Sequence, residues 1–133
     1  MQTARSESAG SLALTLLASI RAQQSLIDVL DTALADESAT VDQWRVLSAL
    51  CAAGPEAMTM GELAASTQIP RPTLSRIVDA LEDAASVFRH TGVVDRRRIT
   101  VHVSDRGAER LARMDAIVAA WEAATAARPG AAT

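Results

Sequence analysis

The sequence predicts a mainly α-helical chain with one small β-hairpin, on three observations. The apolar residues are mostly Ala, Leu and Val, and aromatics are scarce: Trp44, Trp121 and Phe88, with no Tyr. Ala and Leu favour helix. Over most of the chain apolar residues recur at threes, fours and sevens, the spacing of a helix face. One short stretch, residues 98–103, alternates strictly instead, the spacing of a strand. At 133 residues and 49% hydrophobic, the chain suits one folded domain with a core of ordinary size.

Residues 1–10 are small and polar and read as a disordered, frayed tail. Residues 11–36 read as the first helix, with Leu12, Leu16, Ile20, Ile27, Leu30 and Leu34 along one face. Leu14, Leu17 and Leu26 widen that stripe beyond what one core contact needs. A stripe this wide on a terminal helix points to burial against a second chain, with packing in the monomer core as the alternative. The apolar run at 12–20 is too short to cross a bilayer and has no convincing cleavage site, so no membrane partner is expected.

Residues 37–104 read as one compact unit. Asp36-Glu37-Ser38-Ala39-Thr40 is a polar break, and Thr40 or Asp42 caps a helix over about 42–53. Its apolar face is Trp44, Val46, Leu47 and Leu50, and Gly54-Pro55 ends it. Cys51 lies on this helix and reads as a buried, inert thiol. Thr59-Met60-Gly61-Glu62 has the capping-box spacing and starts a short helix at about 60–66. Ser66-Thr67-Gln68 makes a tight turn, plugged by Ile69. The next helix opens at Pro70 or Pro72, with Arg71 as its cap, and turns Leu74, Ile77, Val78 and Leu81 to the core. Its other face offers Arg71, Thr73, Ser75, Arg76 and Asp79.

Two strands follow, at about 87–90 and 98–103, joined by Thr91-Gly92-Val93-Val94-Asp95-Arg96-Arg97. In the second, Ile99, Val101 and Val103 are expected inward and Arg98, Thr100 and His102 outward. Ser104 caps a last helix over 105–128 with a face of Leu111, Met114, Val118 and Trp121, stopped by Arg128-Pro129-Gly130. The whole is a winged helix-turn-helix flanked by N- and C-terminal helices suited to dimerisation.

Charge supports a nucleic-acid partner only locally. The net charge is −3, but residues 1–62 carry eight acids against three arginines, and residues 63–133 carry ten arginines against eight acids. All thirteen basic residues are Arg. Arginine forks match phosphates and guanine edges. Small hydroxyls and arginines at a helix N-terminus reach phosphates and base edges in a major groove, and an Arg-tipped hairpin suits a minor groove. Arg71, Thr73, Ser75 and Arg76 are therefore the candidate major-groove residues, and Arg96, Arg97 and Arg98 the candidate wing residues.

Enzyme chemistry has no foothold. There is no Gly-rich phosphate loop and no metal-spaced His, Cys and Asp cluster, so no cofactor is expected. His90 and His102 fall on facing strands but read as outward-facing wing residues. A single cysteine excludes an internal disulfide and fits a reducing cytoplasm. The competing functional class is a winged module that serves a protein partner and has lost DNA binding, motivated by the acidic total.

Three segments resemble the MarR family of bacterial transcription regulators. They are Met60-Gly61-Glu62-Leu63-Ala64, then residues 72–82, then Asp95-Arg96-Arg97 with Val101-His102-Val103-Ser104-Asp105-Arg106-Gly107. The third, matching the family's wing, is the most specific. The resemblance implies a homodimer on near-palindromic double-stranded DNA, usually repressing and often released by a small aromatic effector. It implies that Arg97 is the minor-groove arginine and that Asp95 holds the wing by pairing with a nearby Arg. A pocket between the lobes is expected near Trp44, Leu16 and Ile20. The chain departs from the family's Gly-Leu between recognition helix and first strand, where it has Ala85-Ser86. It also has Thr91-Gly92-Val93-Val94 where the family's wing carries prolines and acids.

Overall fold

A computed structural model describes residues 2–126. Helix α1 spans Gln2–Leu34, α2 Val41–Ala53, α3 Met60–Thr67, α4 Arg71–Asp83 and α5 Asp105–Ala126. Strands β1 (Met58–Thr59), β2 (Val87–Thr91) and β3 (Ile99–Val103) form an antiparallel sheet in the order β1-β3-β2. The predicted stop at residues 128–130 lies outside the described residues.

Helix α1 runs back to Gln2, through residues expected as a frayed tail. Residues 2–9 hold no proline or glycine, and their Gln, Ala, Arg and Glu favour helix. The predicted break follows: Ser38 turns to φ 53°, and Thr40 caps α2 by accepting from the Gln43 backbone N–H at 3.2 Å. Asp31 reaches across the break, its Oδ1 accepting from the Val41 N–H at 2.7 Å. Helix α2 ends at Gly54, whose φ of 69° suits a residue without Cβ.

The core gathers around α2. Val46 and Leu47 meet Leu34 from α1, Leu63 from α3, Leu74, Val78 and Leu81 from α4, Val101 from β3 and Met114 from α5. Each of these is completely buried. These are the faces the periodicity predicts, apart from their edges. Trp44 and Ile77 are half-buried and Trp121 is exposed.

Four local expectations change. Arg71 is the first helical residue of α4 and not its cap, because Pro70 at φ −57°, ψ 143° takes the cap position and Pro72 sits in the first turn. Strand β3 begins at Ile99, so Arg98 belongs to the wing loop. Ile99 is exposed although its alternation points inward, since it pairs with Thr91 at the hairpin's far end, beyond the core. Cys51 is exposed. Partial burial and the nearby Asp115 carboxylate raise its pKa, so it is not an activated thiol. Strand β1 was not expected at all. Its two residues pair Met58 with Val101 and Thr59 with Thr100, and two residues carry no readable period.

Candidate nucleic-acid interface

The candidate interface begins at the turn that starts α3. Thr59 Oγ1 accepts from the Glu62 N–H at 3.2 Å, and Glu62 Oε1 accepts from the Thr59 N–H at 3.4 Å, the predicted capping box. Glu62 also accepts from Thr59 Oγ1 at 3.0 Å and pairs with Arg98 at 3.3 Å. The hydrogen bonds from Thr59, helped by Arg98, hold its carboxyl below the usual glutamate range. The wing loop is thereby tethered to the start of α3.

Helix α4 presents its first two turns to solvent. Arg71, Thr73, Ser75 and Arg76 are all exposed, and no side chain caps its N-terminus. First-turn N–H groups left uncapped suit an anion. The C-terminal half is held differently. Arg89 of β2 pairs with Asp79 at 3.0 Å and Glu82 at 2.6 Å, clamping the strand to the helix. Desolvation pulls the Arg89 pKa down, but the hydrogen bonds to both acids outweigh it and leave it raised. Arg89 was missed in the sequence. The signal was there in Asp79 and Glu82, one turn apart on the helix that precedes it.

The wing tip is closed by its own backbone. Gly92 N–H donates to the Arg98 carbonyl at 2.8 Å, and Arg98 N–H to the Asp95 carbonyl at 3.0 Å. A Cβ at Gly92 would lie 2.4 Å from the Asp95 oxygen, so this close approach requires glycine. Asp95 was expected to pair with an arginine side chain. Instead its Oδ1 accepts from the Arg97 backbone N–H at 3.0 Å, because a short Asp side chain in a tight turn reaches the main chain two residues on. Val93 and Val94 stand fully in solvent beside it.

These pieces enclose a cleft of about 390 Å³ lined by Thr59, Met60, Gly61, Arg71, Arg89, Arg97, Arg98 and Ile99. It unites Arg71 from α4 with Arg97 and Arg98 from the wing loop. Arg98 is tied to Glu62 and Arg89 to two acids, whereas Arg71 and Arg97 make no ion pair among the described residues. Arg76 is placed elsewhere, in a hollow shared with Gln24, Asp31 and Asp42 on the other flank of α4. Arg96 is exposed in the wing loop.

Behind the wing, Ser86 is completely buried and Arg110 is 8% exposed. Arg110 donates to Ser86 Oγ at 3.1 Å, to the carbonyls of Glu37 and Ser38 at 3.1 and 2.9 Å, and to Gln43 Oε1 at 3.3 Å. Burial pulls the guanidinium pKa below the ordinary arginine value, with Glu37 pulling the other way. The sequence held a sign of Arg110 also. It falls with Gly107, Leu111 and Met114 on the buried stripe of α5.

On the scaffold side, Trp44 lines a largely apolar cleft of about 550 Å³ with Leu26, Leu30, Val118 and Trp121. Its indole N–H donates to Asp115 Oδ1 at 2.8 Å. Leu16 and Ile20 do not reach this cleft. Leu16 lies ten residues before Leu26, about 15 Å along α1, where the helix faces solvent. On the wing, His102 stacks on Phe88 at 5.1 Å and meets His90 edge-on at 5.8 Å. No group of three metal-ligating side chains occurs among the described residues.

A family model described as MarR matches residues 39–98. A DNA-bound structure of the transcriptional repressor CouR is 31% identical, with 77% of this chain and 70% of that one covered and a TM-score of 0.70. A second CouR structure, from Rhodococcus jostii RHA1 and bound to p-coumaroyl-CoA, is 23% identical over 75% and 69% of the two chains, at a TM-score of 0.67. The MarR family transcription regulator SP03579 has a TM-score of 0.74 over 90% and 78%, at 22% identity. No curated protein matches in sequence.

Proposed function

The chain belongs to the MarR family of transcription regulators, and from that premise we propose that it is a homodimeric repressor of near-palindromic operators. The observation that carries this reading is that Arg71 and Arg97 line one cleft, neither guanidinium in an ion pair among the described residues. One stands at the first turn of α4, where a major groove is entered, and the other in the wing loop, where a minor groove is followed. Thr73 and Ser75 extend the major-groove surface, and Arg76 and Arg96 contact backbone at its margins. Arg98 and Asp95 shape the wing by tethering it and by closing its turn.

The dimer reading rests on α1. Leu12, Leu14, Leu16, Leu17, Ile20 and Leu26 are each more than half exposed, and six large apolar side chains spread around one helix are surface that a second copy would cover. Release by a small aromatic effector rests on the cleft at Trp44 and Trp121, whose apolar walls suit an aromatic ring. The p-coumaroyl-CoA bound to CouR offers a parallel.

Selection of bound duplexes from random DNA tests the reading. The expected product is two similar half-sites about 34 Å apart, one turn of DNA. Arg97→Ala lowers affinity across all sequences and flattens the salt dependence by about one unit. An unchanged slope removes the wing from the interface.

A second reading has its own observation. Val93 and Val94 are fully exposed at the wing tip, where apolar side chains suit a protein surface better than a phosphate backbone. A folded dimer that retards no duplex at low salt favours this protein-partner module.

A further inference from the structure

Ser86 is a junction of three elements. Its N–H donates to the Leu81 carbonyl at the end of α4, at 2.8 Å. Its carbonyl accepts from the Ser104 N–H at 3.0 Å, at the start of α5. Its hydroxyl accepts from Arg110, six residues further along the chain in α5. A Cβ at Gly107 would lie 2.0 Å from the Ser86 oxygen, so α5 and the wing's root meet backbone against backbone.

Arg110 carries this junction to the scaffold. Its remaining hydrogen bonds go to the carbonyls of the turn between α1 and α2 and to Gln43 of α2. None goes to a carboxylate, and the Glu37 carboxylate is taken by Arg113 at 2.9 Å. Neutral oxygens from three segments therefore hold a buried cation. Apolar packing elsewhere between the elements is non-directional, whereas a guanidinium donates its hydrogen bonds only in its own plane.

We propose that Arg110 is a positioning residue. Through Ser86 it fixes the recognition helix and wing relative to the terminal helices, and so sets the half-site spacing that the protein accepts. This rests on the DNA-binding reading above.

Two measurements test it on the full chain. In a Cys51→Ala background, spin labels at the exposed positions Ala22 and Val94 report the distance from α1 to the wing. The expected distribution is narrow, and broader or shifted in both Arg110→Met and Ser86→Ala. Ser86→Ala removes one hydroxyl and keeps the chain folded if Arg110→Met does not. In the second measurement, duplexes carry the selected operator with one or two base pairs added between half-sites. Ser86→Ala loses about tenfold in spacing discrimination while its affinity for a single half-site holds. Arg110→Lys, which keeps the charge but not the fork, falls between. Unchanged distances in the variants overturn the proposal, as does a spacing preference equal to that of the parent chain. If the parent chain selects no operator, the regulatory reading fails, and the distances alone decide whether Arg110 positions the wing.

Discussion

Arg97 and Arg110 are the same side chain in opposite circumstances. Arg97 sits in an exposed loop, its guanidinium in no ion pair among the described residues, in a turn closed by backbone hydrogen bonds and by the Asp95 carboxylate on its N–H. Arg110 is buried and spends its donors on four oxygens from three segments. An exposed unpaired cation costs the fold little and remains available to a phosphate. A buried one is costly to desolvate and persists only when its donors are satisfied. The tip of the wing is therefore left open, and its root is held.

The strongest way to break this contrast is at the root. Gly107→Ala forces a methyl against the Ser86 carbonyl, and the expected loss is about 3 kcal/mol or more of stability, read from urea unfolding. A loss below about 1 kcal/mol would mean the root gives way easily and is not a rigid joint. Next comes Arg110→Met, which leaves buried oxygens unpartnered and should cost about 2–3 kcal/mol. In the same assay Arg97→Ala should change stability by less than about 0.5 kcal/mol while flattening the salt slope of DNA binding. Equal stability losses for the two would erase the distinction.

Smaller effects sharpen it. Ala85 holds φ 58°, a left-handed conformation that costs a residue with a Cβ about 1 kcal/mol. Ala85→Gly should raise stability by a few tenths to about 1 kcal/mol, offset in part by the freer unfolded chain. Glu62 gives the smallest effect and a test of sign. Its folded pKa is depressed below the ordinary 4.5. Its stabilisation is thus fully present above that value and is lost as pH falls through the lower folded value. Glu62→Gln should narrow the gap between stability at neutral and at acid pH by lowering stability at neutral pH, with the pH dependence above pH 7 unchanged, as acid titration by circular dichroism would show.

Much of the fold was legible in advance. The capping box at Thr59, the break at residues 36–40, the buried faces of α2 and α4 and the hairpin all follow from local pattern, because helix faces and caps are short-range. The left-handed Ala85 falls where the family has glycine, a departure already visible in the sequence. Less of the candidate site was readable. Arg71 and Arg97 were named correctly as exposed arginines, but their common cleft joins residues 26 apart. Asp95 was assigned a side-chain partner, and the turn supplied a backbone one. Leu16 and Ile20 were placed in a pocket that α1 overshoots.

By itself the sequence determined the five helices and the hairpin, though not the start of α1 or the short β1, and also which faces are apolar and which stretch carries the arginines. These properties depend on spacing within a few residues, and the backbone enforces them locally. Only the tertiary structure decided what each arginine does. Arg71 and Arg97 stay open, Arg89 and Arg98 become clamps, and Arg110 becomes a buried joint. That division depends on which oxygens lie within about 3 Å of a long, flexible side chain, and distant segments bring those oxygens there.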